Sequence, residues 1–127
     1  MNKMNNKGQS LVTFVLVIPI AVLIFMMIYD IGSMVLLKSE LNNINYLAID
    51  YGLSNINEED VNEKIKSLIV KNKSKIDNIS INIEDDKIYI ILEDSIDTKI
   101  SLKGLFKVKS SYVGYLENDK KKIERNK

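Results

Sequence analysis

Few side chains in this sequence could do covalent or metal chemistry. It has no Cys and no His, which removes disulfides, tetrahedral zinc sites, thiol nucleophiles and His-based triads. What remains is carboxylate-rich. Glu84, Asp85 and Asp86 fall together, and Glu93, Asp94 and Asp97 follow a few residues later. Acids gathered on neighbouring loops are the oxygen ligands that Ca²⁺ takes, and a close pair is the usual acid/base couple. Here there is no EF-hand spacing and no glycine at the bend, and aspartate is itself a common turn former. Tyr112 and Tyr115 fall on opposite faces of one predicted strand, one packed and one exposed. We therefore read no catalytic residues, no metal site and no cofactor, and expect a protein that is not an enzyme.

The chemistry that the sequence does mark is a peptide bond. Between Lys7 and Asp30 no residue is charged, and the stretch opens on Gly8-Gln9. At ~1.5 Å per residue, residues 8–29 match the ~30 Å hydrocarbon core of a bilayer. A secretory signal has a shorter apolar core and ends at a small-x-small site, and Ile31-Gly32-Ser33 is a poor one. Pro19 lies in mid-span, where it removes a helical hydrogen bond and kinks the helix. Lys3 and Lys7 precede the span and Asp30 follows it, so the positive-inside rule places the N-terminus in the cytoplasm and the rest outside.

The leader ending in Gly8, followed by Gln9-Ser10-Leu11-Val12-Thr13-Phe14, resembles the class III signal of prepilins. More closely, Gly8, Gln9, Ser10, Leu11, Val12, Phe14, Pro19, Asp30 and Gly32 resemble the start of the TadE-like pseudopilins of tight-adherence (Tad/Flp) pilus systems. The resemblance covers residues 7–53, and the remainder by pattern alone. It implies cleavage between Gly8 and Gln9 by a prepilin peptidase, with other pilins, pseudopilins and pilus-assembly membrane proteins as partners. That family carries glutamate where this chain has Thr13. A carboxylate inside a bilayer is costly unless paired, and in pilins it is thought to pair with a neighbouring subunit's terminal amine. Thr13 is neutral and can bond to its own helix carbonyls. The departure implies a subunit outside the ordinary filament or at one end of it.

Helical spacing continues over residues 30–52. Met34, Leu37, Leu41, Ile44, Ala48 and Tyr51 recur at intervals of three and four, as a stripe packs on its own sheet or as a seam between two helices. Asn42, Asn43 and Asn45 lie off the stripe and read as solvated, with Gly52 as the helix C-cap. Asn57 reads as the N-cap of a second helix running to about residue 73, with Glu58, Glu59 and Asp60 in its first turn. Its apolar face is Val61, Ile65, Leu68 and Ile69, and its lysines lie on a wet face near the C-terminal end. Then the period falls to two. Ile79, Ile81 and Ile83 alternate with polar residues, Asp85-Asp86 turns the chain, and residues 87–93 return it. Residues 97–106 are ambiguous between loop and strand, and Val108, Tyr112 and Leu116 resume the alternation.

The expected fold is α+β: a long N-terminal helix, transmembrane in its first half, then a small extracytoplasmic domain with a second helix and an antiparallel sheet of three or four strands. The expected divisions are a leader over 1–8, a transmembrane helix over 9–29, a pilin-like domain over 30–117 and a disordered tail over 118–127. A net charge of +1 gives no pull toward nucleic acid. The bilayer is the expected surroundings, and the expected role is a membrane-anchored structural subunit of a pilus or related secretion apparatus. The alternative is an unprocessed single-pass protein whose outer domain binds a ligand or another protein.

Overall fold

A computed structural model of the chain describes residues 4–97 and 105–126. Helix α1 spans Met4–Ser54 and α2 spans Val61–Asn72. Four strands follow: β1 Asn78–Glu84, β2 Lys87–Asp97, β3 Leu105–Glu117 and β4 Lys120–Arg125. They form one antiparallel sheet in the order β1-β2-β3-β4. The C-terminal half of α1 lies on this sheet, and α2 packs beside it against α1 and β1. The architecture is thus α+β, with a long N-terminal helix, a second helix and a four-stranded antiparallel sheet.

Period-two burial builds one face of the sheet. Ile88, Ile90 and Leu92 of β2 are fully buried. They stand opposite Ile83, Ile81 and Ile79 of β1 in the register of the pair. From the helices come Leu37, Leu41, Ile44, Ala48, Ile49 and Leu53, with Val61, Ile65 and Ile69 of α2. Burying each large aliphatic side chain is worth about 1.5–3 kcal/mol, so this shared core holds the domain together.

Both tight hairpins use the same turn chemistry. Asp85 and Asp86 have φ of 50° and 62°, and Asn118 and Asp119 have φ of 52° and 64°. Two successive left-handed residues define the type I′ turn, whose twist matches that of the strands, and Asn and Asp accept this conformation more readily than other side chains with a Cβ.

Three local expectations are corrected. The tail expected to be disordered over 118–127 instead forms β4, whose register runs from Glu117↔Lys120 to Tyr112↔Arg125. Its single apolar side chain, Ile123, packs against the core, while its charged residues suit an exposed sheet edge. Asn57 lies in the turn between the helices, and the position before α2 is Asp60, which makes no side-chain cap. Its acids act by ion pairing, since Lys64 reaches both Glu58 and Asp60. Gly52 is not a C-cap either. It is buried within α1, and a Cβ there would lie 2.7 Å from both Ile65 Cδ1 and Ile88 Cδ1.

Gly114 of β3 is tighter still, with a Cβ position 2.1 Å from Ile49 Cγ2. Gly114→Ala is expected to destabilise the domain by about 1–3 kcal/mol, the usual cost of overpacking. Gly52→Ala gains ~1 kcal/mol of helix propensity, but its Cβ meets Ile65 and Ile88, both fully buried, so it should destabilise by less than Gly114→Ala. Urea unfolding of the full chain in detergent micelles, followed by circular dichroism, checks both. Ile49→Leu removes the offending Cγ2 and should recover part of the Gly114→Ala loss; equal stability of Gly114→Ala and the parent would refute the close approach.

Candidate functional site

The candidate site is α1 itself, which divides into two chemically unlike halves. Its N-terminal part is a candidate membrane span, with an 18-residue window of mean hydropathy 3.1, none of which is buried inside the protein. Among the described residues it is the one helix long and apolar enough to cross a bilayer. Gly8 and Gln9 lie within the helix, Gly8 half-exposed and Gln9 exposed. Thr13 and Pro19 are exposed too, and α1 continues through Pro19. Leu11, Phe14, Leu16, Leu23 and Phe25 all present half or more of their surface outward. An apolar surface so large and continuous is what a bilayer-crossing helix requires.

The second half reverses this. Leu37, Leu41, Ile44 and Ala48 are buried, with Met34 and Tyr51 packed at the margins of the same cluster. The stripe read from the sequence therefore faces the chain's own sheet. Outside the stripe, Ile31, Val35, Leu36, Tyr46 and Leu47 of the helix are exposed.

Between the stripe and the sheet lies a polar lock that the sequence reading placed in solvent. Asn45 is fully buried. Its Nδ2 donates to the carbonyl of Ile90 at 3.0 Å and to that of Ser110 at 3.2 Å, and lies 3.3 Å from Ser110 Oγ. The Ser110 hydroxyl in turn donates to Asn42 Oδ1 at 2.7 Å. One helix position thus bonds to two adjacent strands. Asn42 is half-buried, and Asn43 alone of the three is exposed. The sole signal in the sequence was that Asn45 adjoins Ile44 of the stripe.

Charged groups arrange themselves around this core. Asp30, the first charge after the apolar run, is 4% exposed. Lys38 donates from Nζ to the carbonyl of Lys109. Burial, followed by repulsion from Arg125, lowers its pKa from the usual 10.5. Folding thus favours the neutral amine, and the resulting cost diminishes as pH rises through the folded pKa. Lys73, expected on a wet face, bridges Glu40 of α1 at 3.4 Å and Asp94 of β2 at 3.7 Å. Lys121 of β4 reaches Asp50 at 3.0 Å, tying the last strand to α1.

The acidic residues do not converge. Glu84, Asp85 and Asp86 are exposed at the first hairpin. Glu93 and Asp94 project from opposite faces of β2, Asp94 toward the core. The side chain of Asp97 lies outside the described residues. Among those described, no three acidic side chains gather at a metal-binding distance. Tyr112 packs against the core, while the Tyr115 hydroxyl donates to Glu124 at 3.3 Å and its ring lies under the Lys87 ammonium. Desolvation, with the Glu124 charge beside it, raises the Tyr115 pKa.

No family model, curated protein or solved structure matches this chain.

The Asn45 lock gives a direct test. Asn45→Ala leaves its acceptors without their helix donor and is expected to cost about 1–3 kcal/mol. Asn43→Ala, one turn-face away in solvent, should stay within ~0.5 kcal/mol of the parent. The comparison is made by chemical unfolding of the two variants side by side, and equal midpoints would show that the lock contributes nothing.

Proposed function

We propose that this chain is a membrane-anchored structural subunit, a TadE-like pseudopilin of a Tad/Flp pilus or a related secretion apparatus. The observation that carries the reading is the junction at Gly8-Gln9. A basic leader ends there and one helix of 51 residues begins around it, running through an uncharged stretch into the core of a small sheet domain. A peptidase cutting after Gly8 at the membrane face would leave that helix attached to its domain, so the product stays in the bilayer as an assembly subunit.

In this reading residues 9–29 span the bilayer, with Lys3 and Lys7 on the cytoplasmic side. Work is done by association. Prepilin peptidase processes the leader, and the processed helix packs laterally among other pilins and assembly proteins. Because the sheet occupies the stripe of Leu37, Leu41, Ile44 and Ala48, lateral contacts outside the membrane fall to the opposite face, where Tyr46 and Leu47 are exposed. Thr13 offers no carboxylate to a neighbour's terminal amine, which favours a place at the end of a filament or beside it rather than in its shaft.

Gly8→Ala in the native host, with intact mass as the readout, tests the processing. The expected outcome is accumulation of a precursor longer by the eight leader residues. An identical mass for parent and variant, starting at Met1, would instead favour an unprocessed single-pass protein with a binding domain. Thr13→Glu tests the position: a restored carboxylate should change filament length or subunit incorporation, and no change in either would remove the terminal-subunit argument.

A further inference from the structure

The membrane boundary of this protein is set by burial as well as by sequence. Hydropathy ends the span at Asp30, yet Asp30 is 4% exposed, so its charge is not presented to the surroundings. The next charged residue on α1 is Lys38. The outward surface of residues 8–37 is therefore effectively uncharged. At ~1.5 Å per residue it runs for about 45 Å, the thickness of a bilayer with both headgroup layers included. Ile31, Val35 and Leu36, at 57%, 62% and 72% exposed, continue the apolar surface past Asp30.

The sheet brings a second element to that level. β3 runs alongside α1 in the same direction. The Lys109 carbonyl meets Lys38, Ser110 meets Asn42 and Asn45, and Gly114 meets Ile49. The N-terminal end of β3 consequently points back toward the span. Lys107 and Val108 share a concave patch with Met34, Val35 and Lys38. Phe106 lies about 10 Å from Lys109 along β3, toward the span, at ~3.3 Å per residue. It falls on the core-facing side of β3 by alternation, but the core ends at Val108, and Phe106 is 41% exposed. Beside it, Lys107 is exposed and stands opposite Ser95, whereas Lys109 stands opposite Glu93. Among the described residues Lys107 has no ion-pair partner.

We propose that this end of the domain, Phe106 and Lys107 together with Ile31 and Val35, is a docking surface for the lipid headgroup layer of the bilayer that α1 spans. The proposal rests on the reading of α1 as a membrane span. An aromatic ring and aliphatic side chains suit the boundary between acyl chains and headgroups, and a lysine with no ion-pair partner among the described residues suits anionic phosphate. Val35 links this surface to the apolar helix through the patch it shares with Lys107 and Val108. A bilayer that receives the helix as far as Val35 therefore reaches the N-terminal end of β3. The domain then sits in the membrane surface instead of standing above it on a stalk.

The chain has no Trp, so single tryptophans report position without background. Phe106→Trp, Phe25→Trp and Leu116→Trp are compared in full-length protein reconstituted into phosphatidylcholine vesicles with and without phosphatidylglycerol. Nitroxides placed at the headgroup or deep in the acyl chains serve as quenchers. Phe25→Trp should be quenched from deep positions. Phe106→Trp should be quenched several-fold more by the headgroup nitroxide than Leu116→Trp, which sits at the far end of β3. Lys107→Glu should weaken that quenching in vesicles containing phosphatidylglycerol. If Phe25→Trp is deep but Phe106→Trp behaves like Leu116→Trp, the span stands and the docking surface is refuted. If Phe25→Trp is itself water-exposed, the anchor reading falls and the docking surface with it. A Lys107→Glu chain indistinguishable from its parent on phosphatidylglycerol overturns the assignment of anionic headgroups as the ligand.

Discussion

The domain depends on how closely α1 lies on β3. Gly114 supplies no side chain where Ile49 descends, and Ser110 supplies only a small one where Asn45 does. Between these low points the helix reaches the backbone of the sheet, and Asn45 can bond to main-chain oxygens of two strands at once. Apolar packing alone is non-directional and would tolerate a helix rotated or slid by a fraction of a turn. A side-chain amide with fixed acceptors does not. Asn45 Oδ1 is buried without a partner, so the group carries a desolvation cost. A residue that is costly on one atom and doubly engaged on the other is better suited to setting register than to adding stability.

That dependence explains which parts of the fold were legible in the sequence. The stripe from Leu37 to Ala48 and the alternation through β1 and β2 are patterns repeated over many residues, so a single atypical position does not hide them. The features missed were carried by one or two residues each. β4 has a single apolar side chain, Ile123, and looks like a charged tail. Its real signal was Asn118-Asp119, a pair able to adopt two left-handed conformations in succession. Gly52 read as a cap because glycine commonly ends helices, and only its three-dimensional neighbours distinguish a cap from a close approach. In a chain rich in asparagine, Asn45 could not be told from its solvated neighbours.

The candidate site divides along the same line. Gly8, Gln9, Thr13 and Pro19 are a local sequence pattern, readable without a structure. What the second half of the helix does is not local. The stripe is compatible with a helix–helix seam until a sheet is found to occupy it. Once it does, two consequences follow together: the domain has a core of its own, and the residues free for association are those on the opposite face. Lys73, reaching both Glu40 and Asp94, reinforces the assignment by fastening α1, α2 and β2 on the sheet side.

Where α1 spans a bilayer as proposed, its continuity fixes the height of the domain over that bilayer. A flexible linker would let a small sheet diffuse above the bilayer, with its distance set by chain statistics. Here the residue that ends the apolar run and the residues that enter the core belong to one helix, and Leu37 is already buried two turns after Asp30. The span cannot shift along the bilayer normal without moving the sheet by the same amount. Asp30 works with this geometry because its carboxyl is enclosed by protein, leaving the helix surface near it uncharged. A charged collar at that position would hold the domain clear of the lipid by its hydration cost. Its burial removes that barrier, and in the proposed span the next charged residue of α1 toward the domain is Lys38.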